Sequence, residues 1–132
     1  MEKMEVLLSK EVIQSFSALQ SGLSNMNTDG FLIGHRRGDM FFIEKIIPSQ
    51  KGFFSSQQKF TAVKQIFEDK ILGFYSFHTT ESKLKKILAP IAYGKIFLCF
   101  DRDETNQWVI KPYAIEHDQD FFLLPIDLKS AR

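Results

Sequence analysis

A chain of 132 residues is the size of one domain and long enough to bury a hydrophobic core without a metal or disulfide staple. It is 44% hydrophobic and 25% charged, and its 17 basic residues against 16 acidic ones leave a net charge of +1, so no basic footprint for nucleic acid is present. Its unusual feature is 14 phenylalanines, which makes exposed aromatic surface plausible, and its single cysteine, Cys99, excludes an internal disulfide.

Taken in chain order, "MEKMEVLLSKEV" lacks the charged-then-apolar pattern of a signal peptide, and no later run approaches the ~18 apolar residues of a membrane span. A cytoplasmic protein with no membrane partner is therefore expected. Residues 4–8, "MEVLL", predict a first strand. Ser9 is a good N-cap, and Val12, Ile13, Phe16, Leu19 and Leu23 follow at helical spacing, so a helix is expected over 10–22. Gly22 and the polar run "SNMNTD" break it. "GFLIG" and "MFFIEKII" predict strands over 30–35 and 40–47, joined by a turn at Arg37, Gly38 and Asp39 and ended by Pro48. "SQKGFFSSQQ" is a polar loop carrying the adjacent Phe53 and Phe54, and Phe60, Val63 and Phe67 predict a second helix over 57–68. "ILGFYSF", residues 71–77, reads as a central strand, and "ESKLKKILAPIAY" begins helically and is interrupted by Pro90. "KIFLCF" and "WVIKPYAI" predict strands over 95–100 and 107–115 around the polar turn "DRDETNQ", and "FFLLPIDL" is a last extended or short helical piece. Strands apolar on both faces need covering, so this order predicts a single α/β (α+β) domain, a mixed β-sheet flanked by helices.

Several residues invite chemistry. Cys99, inside an apolar run, reads as small core filler. His78 stands where the 71–77 strand meets a polar turn, the place from which a strand delivers a side chain to the lip of a cleft. Ser76 and His78 point the same way along a strand, but no third group is in evidence to orient a nucleophile-base pair. The arginines of "GHRRGD" and the lysines of "LKKIL" read as solvated. Phe53 and Phe54 either fold back into the core or form a surface for a protein partner or a second copy.

Three stretches together resemble one family. "MEVLLSKEVIQSFSALQ" is similar to the opening strand and helix of the JAMM family, also called the MPN, Mov34 or JAB domain. "DGFLIGHRRGDMFFIEKIIPS" resembles its glycine-framed strand, turn and return strand, and "ILGFYSFH" the strand that ends in the family's His-Ser-His-Pro. The resemblance covers about residues 4 to 115 and implies a JAMM/MPN-like fold with cytidine-deaminase-like layering. Family members are zinc isopeptidases and metalloproteases, together with silent relatives that act as scaffolds.

Residue by residue, the resemblance implies a lost active site. Asn27 stands at the family's glutamate, Ser76 at its first histidine, His78 at its second, and Thr79 at the following proline. The serine and metal-binding aspartate that follow fall on Lys86 and Ala89, or, in a shortened loop, on Ser82 and Lys85. A catalytic zinc of this kind needs about three protein ligands, an open water position and a carboxylate base. One imidazole, a protonated hydroxyl and an amide do not supply them. The expectation is a catalytically inactive JAMM/MPN-like domain, a pseudoenzyme without cofactor, that works through protein-protein contact with a partner or as a homodimer. The vestigial cleft is Asn27, Ser76, His78 and Ser82, and Phe53 and Phe54 are the interaction candidates. The alternatives are a metal-dependent peptidase with a rearranged site drawing on Asp29, His35, Glu81 or Asp101, and a small-ligand or peptide binder using the vacated cleft.

Overall fold

The computed structural model describes residues 4–21, 29–49, 70–77 and 93–130. The chain begins with β1 (Glu5–Leu8), whose apolar residues run straight into helix α1 (Lys10–Ser21). Ser9 makes that junction. Its Oγ accepts the Val12 N–H at 3.1 Å, its carbonyl accepts the Ile13 N–H at 3.1 Å, and its own N–H donates to the Ile43 carbonyl at 3.1 Å. The cap thus satisfies one of the orphan donors at the helix start and pins the helix to a neighbouring strand. The spacing that predicts the helix also sets its buried face, since Val12 and Phe16 are in the core and Ile13 and Leu19 pack against it.

A hairpin follows, β2 (Asp29–Arg37) and β3 (Met40–Ser49). Arg37 pairs with Met40, leaving Gly38 and Asp39 as the turn, and Gly38 takes a φ of 57° at the first central position, where a type II′ turn needs glycine. Pro48 does not end the strand as expected; it lies inside β3 opposite Gly30, next to the last residue, where a missing donor is tolerated. Next come β4 (Ile71–Phe77), buried along its whole length, and β5 (Ile96–Arg102), parallel to it. β6 (Trp108–Asp118), β7 (Asp120–Pro125) and β8 (Asp127–Ser130) complete the described chain. The "FFLLPIDL" stretch is thus part of two strands, β7 and the start of β8, with Ile126 between them. The expected helix over 57–68 and the helical start of "ESKLKKILAPIAY" lie outside the described residues.

The eight strands form one sheet in the order β7-β6-β5-β4-β2-β3-β1-β8. Its first and last members are nearly one run of chain, separated only by Ile126. The Ile126 N–H donates to the Pro112 carbonyl of β6 at 3.1 Å, and the next N–H, of Asp127, donates to the Met4 carbonyl beside β1 at 3.2 Å. Pro112 has no N–H to return, and there the segment leaves β6 and crosses to β1. Extra residues at Glu44 in β3 and Leu72 in β4 interrupt the pairing on either side of β2 and bend the sheet toward closure.

The result overturns the expected fold class. The described residues form a mostly β, nearly closed barrel with α1 as the one α-helix among them, not a mixed α/β sheet flanked by helices in the expected JAMM/MPN-like, cytidine-deaminase-like layering. The physical reason is that a sheet can cover one of its own faces by curling. Val6, Leu8, Leu32, Phe41, Ile43, Tyr75, Phe77, Leu98 and Phe100 meet Val12 and Phe16 of α1 in one core. Phe31, Ile33, Phe74, Phe97, Cys99 and Ile115 form a second cluster on the other face.

Candidate functional site

β2 and β4 are antiparallel, so the start of one lies beside the end of the other and Asp29 pairs with Ser76. β5 sets Cys99 beside Ser76, and β6 sets Lys111 beside Cys99. Paired residues share a face of a sheet, so these side chains make one polar row across neighbouring strands. The adjacent row on that face is Phe31, Phe74, Phe97 and Tyr113, an aromatic floor beneath the polar rim.

At the centre of the row the Ser76 hydroxyl donates to Asp29 Oδ1 at 2.7 Å. Ser76 is fully buried and Asp29 is 4% exposed. Ser76 Oγ is also 3.1 Å from the Phe77 carbonyl, but it has one proton, and the shorter contact to a carboxylate is the stronger bond. Farther along, Cys99 Sγ lies 3.7 Å from Asp101 Oδ2, which also takes Lys111 Nζ at 3.6 Å. The thiol is buried within the second core cluster. The chemistry on offer is a buried carboxylate with a hydroxyl committed to it, a packed thiol and an outer ion pair. Among the described residues no group of at least three His, Cys, Asp or Glu side chains is placed to hold a metal ion.

On the opposite face Tyr75 lies across Gly30. A Cβ at residue 30 would come within 2.5 Å of the Tyr75 Cε1 and hydroxyl and of the Ile47 carbonyl, so only glycine admits the ring. Phe16 and Phe77 hold that ring edge-on at centroid distances of 5.2 and 6.2 Å. The hydroxyl is fully buried and has no hydrogen-bond partner among the described residues. Burial, and after it the nearby charge of Asp29, push the phenol's pKa well above its ordinary value.

Of the residues singled out from sequence, Ser76 sits at this strand end, while Asn27, His78, Ser82, Phe53 and Phe54 lie outside the described residues. Asp29 and His35 occupy opposite ends of β2. His35 pairs there with Glu44 and stacks on Phe42 at 4.9 Å, beside a cavity of about 620 Å³ lined by Glu11, Ile33, Glu44, Lys45 and Lys70. Sequence reasoning named Asp29 but not its bond to Ser76, and it missed Tyr75. A lone serine inside "ILGFYSF" is the signal for the first, since a buried hydroxyl requires a partner.

None of the helices among the described residues is long and apolar enough to cross a membrane. No family model and no curated protein matches the sequence. Among solved structures, the chain is similar to the solution structure of protein DSY2949 from Desulfitobacterium hafniense. The TM-score is 0.63 at 18% identity, over 96% of this chain and 94% of that one. At that identity the likeness is one of fold.

Proposed function

We propose that this chain is a catalytically silent relative of the JAMM/MPN family, on the strength of its sequence resemblance and not of its fold, and that it acts through protein-protein contact. The observation that carries the reading is the company of Ser76. The resemblance puts the family's first histidine at this residue, where the chain has a fully buried hydroxyl already donating to Asp29. A serine hydroxyl keeps its proton at neutral pH and is a poor zinc ligand, and its bond to Asp29 occupies the carboxylate that a rearranged site would first draw upon. The pairing of Asp29, two residues beyond Asn27 in the sequence, with Ser76 is consistent with that reading. Asn27 offers no base, and Lys85 or Ala89 no ligand. A cytoplasmic location belongs to the same proposal, with one buried cysteine and no disulfide framework as its support.

Metal analysis of the purified chain tests it. Zinc should be far below one equivalent, and chelator should leave the melting temperature unchanged, because one imidazole holds the ion weakly. Stoichiometric zinc that chelator removes and His78→Ala abolishes would restore the hydrolase reading. A pull-down comparing the native chain with a Phe53→Ser/Phe54→Ser variant tests the contact. Capture of the same partners by both would take those phenylalanines out of the interface.

A further inference from the structure

β7 ends the sheet order, and among the described residues only β6 pairs with it. Its sequence, "DFFLLP", holds Phe121, Phe122, Leu123 and Leu124 in succession, with Asp120 and Pro125 only at its ends. Natural edge strands are guarded by central charges, bulges or a covering element, because an open edge invites another strand. Here Phe122 and Leu124 are 39% and 43% exposed.

The hydrogen bonds at the end of β7 show which backbone groups meet that edge. The Ile126 N–H points to β6 and the Asp127 N–H points the other way, to Met4. Successive residues of a strand alternate in this respect, so Phe122 and Leu124 turn their N–H and C=O toward β6. Phe121 and Leu123 turn theirs to the open side, and Pro125 offers its carbonyl there. The far side of β6 agrees, since the odd residue Ile115 exchanges bonds with Gly94 and Lys95 in the direction of β5.

We infer that β7 is a homodimer edge, at which two copies pair antiparallel about a two-fold axis at Leu123. In that register the two Leu123 residues exchange N–H and C=O, and each Phe121 N–H donates to the Pro125 carbonyl of the second copy. Pro125, unable to donate, is asked only to accept. Each exposed Phe122 then stands directly opposite Leu124 of the second copy, on the same face; Glu116 of β6 flanks Phe122 on its other side, but the second copy's strand sets no carboxylate opposite either residue. The competing two-fold at Phe122 would set Leu124 against Asp120, an apolar group against an acid. One register therefore matches both backbone and side chains to a second copy of this same strand, which is why the occupant is the chain itself. The surface is separate from Phe53 and Phe54, and the inference does not depend on the silent-domain reading.

Sedimentation velocity of the full chain from about 5 to about 500 µM tests it, because an edge this short belongs to the weak end of interfaces, with micromolar affinity. A monomer-dimer equilibrium is expected in that range. Phe122→Lys with Leu124→Lys places like charges opposite one another and should weaken association at least about tenfold at unchanged circular dichroism and melting temperature. The single variants Phe122→Lys and Leu124→Glu, mixed, should associate more tightly with each other than either does with itself, because the Leu123 register sets the lysine directly opposite the glutamate. A monomer at every concentration, a dimer indifferent to the paired lysines, or a mixture no tighter than its components would each overturn the proposal. The Phe53→Ser/Phe54→Ser variant should dimerise through β7 as the native chain does.

Discussion

Tyr75→Phe should stabilise the protein. The substitution removes one heavy atom, a hydroxyl oxygen that is fully buried and has no partner among the described residues. It keeps the ring that meets Phe16 and Phe77. A buried polar group without a partner costs about 1–3 kcal/mol. The small space left beside Gly30 returns part of that, so a net gain of about 1–2 kcal/mol is expected. For 132 residues, at about 2.1 cal/mol/K each, the unfolding entropy is about 0.28 kcal/mol/K, and the gain appears as a rise in melting temperature of about 4–7 °C. Calorimetry at neutral pH measures it. Alkali supplies a second reading with a definite sign. Burial first, and Asp29 second, hold this phenol above its ordinary value near 10, so the folded chain keeps the proton that the unfolded chain gives up. The stabilising contribution is complete below pH 10 and is lost as the pH rises beyond it. The native chain should therefore weaken above pH 10 more steeply than the variant, and the gap between them should widen. A variant less stable than the native chain by more than about 1 kcal/mol would mean that the hydroxyl is hydrogen-bonded after all, and the reasoning would fail.

Ser76→Ala strips the Asp29 carboxylate of a buried hydrogen bond and should cost about 1.5–3 kcal/mol in chemical denaturation, whereas an effect below about 0.5 kcal/mol would leave the bond without structural weight. Gly30→Ala drives a methyl into the Tyr75 ring and the Ile47 carbonyl and should destabilise by about 1–3 kcal/mol. The loss should persist in a Tyr75→Phe background, because Cε1 and the carbonyl remain. Ser9→Ala removes the α1 cap and should cost about 1 kcal/mol by thermal melting, with a change near zero pointing to another acceptor for the Val12 N–H.

The elements whose causes are local were legible in the sequence. Ser9 reaches a donor three residues on, and Gly38 supplies a backbone angle within its own turn, so the helix start and the hairpin follow from a few letters. The apolar runs of β4 and β5 announce burial on both faces but do not say what provides the cover. That is decided by curvature, which depends on Glu44, Leu72 and Pro112, and these leave no mark on hydrophobic periodicity. Pro125 looks like a break in "FFLLPIDL", yet β7 includes it as its last residue because its missing N–H points away from β6. At the site, a chain-order reading finds Ser76 but cannot find its acceptor 47 residues away. The orphan hydroxyl of Tyr75 is a property of packing alone.

The crossing at Pro112 makes the barrel's seam the most distant strand pairing among the described residues, with residues 5–8 of β1 zipped to residues 127–130 of β8. During synthesis β1 can dock on β3 early, but its other side stays open until residue 130 has left the ribosome. Through that interval Val6 and Leu8 sit beside an unpaired backbone edge, the condition under which nascent β proteins join the wrong neighbour. Segment 120–130 thus acts as a late clasp, and the refolding rate should be governed by this longest loop closure. A chain stopped at Pro125 would keep most of its sheet and lose the guard on β1.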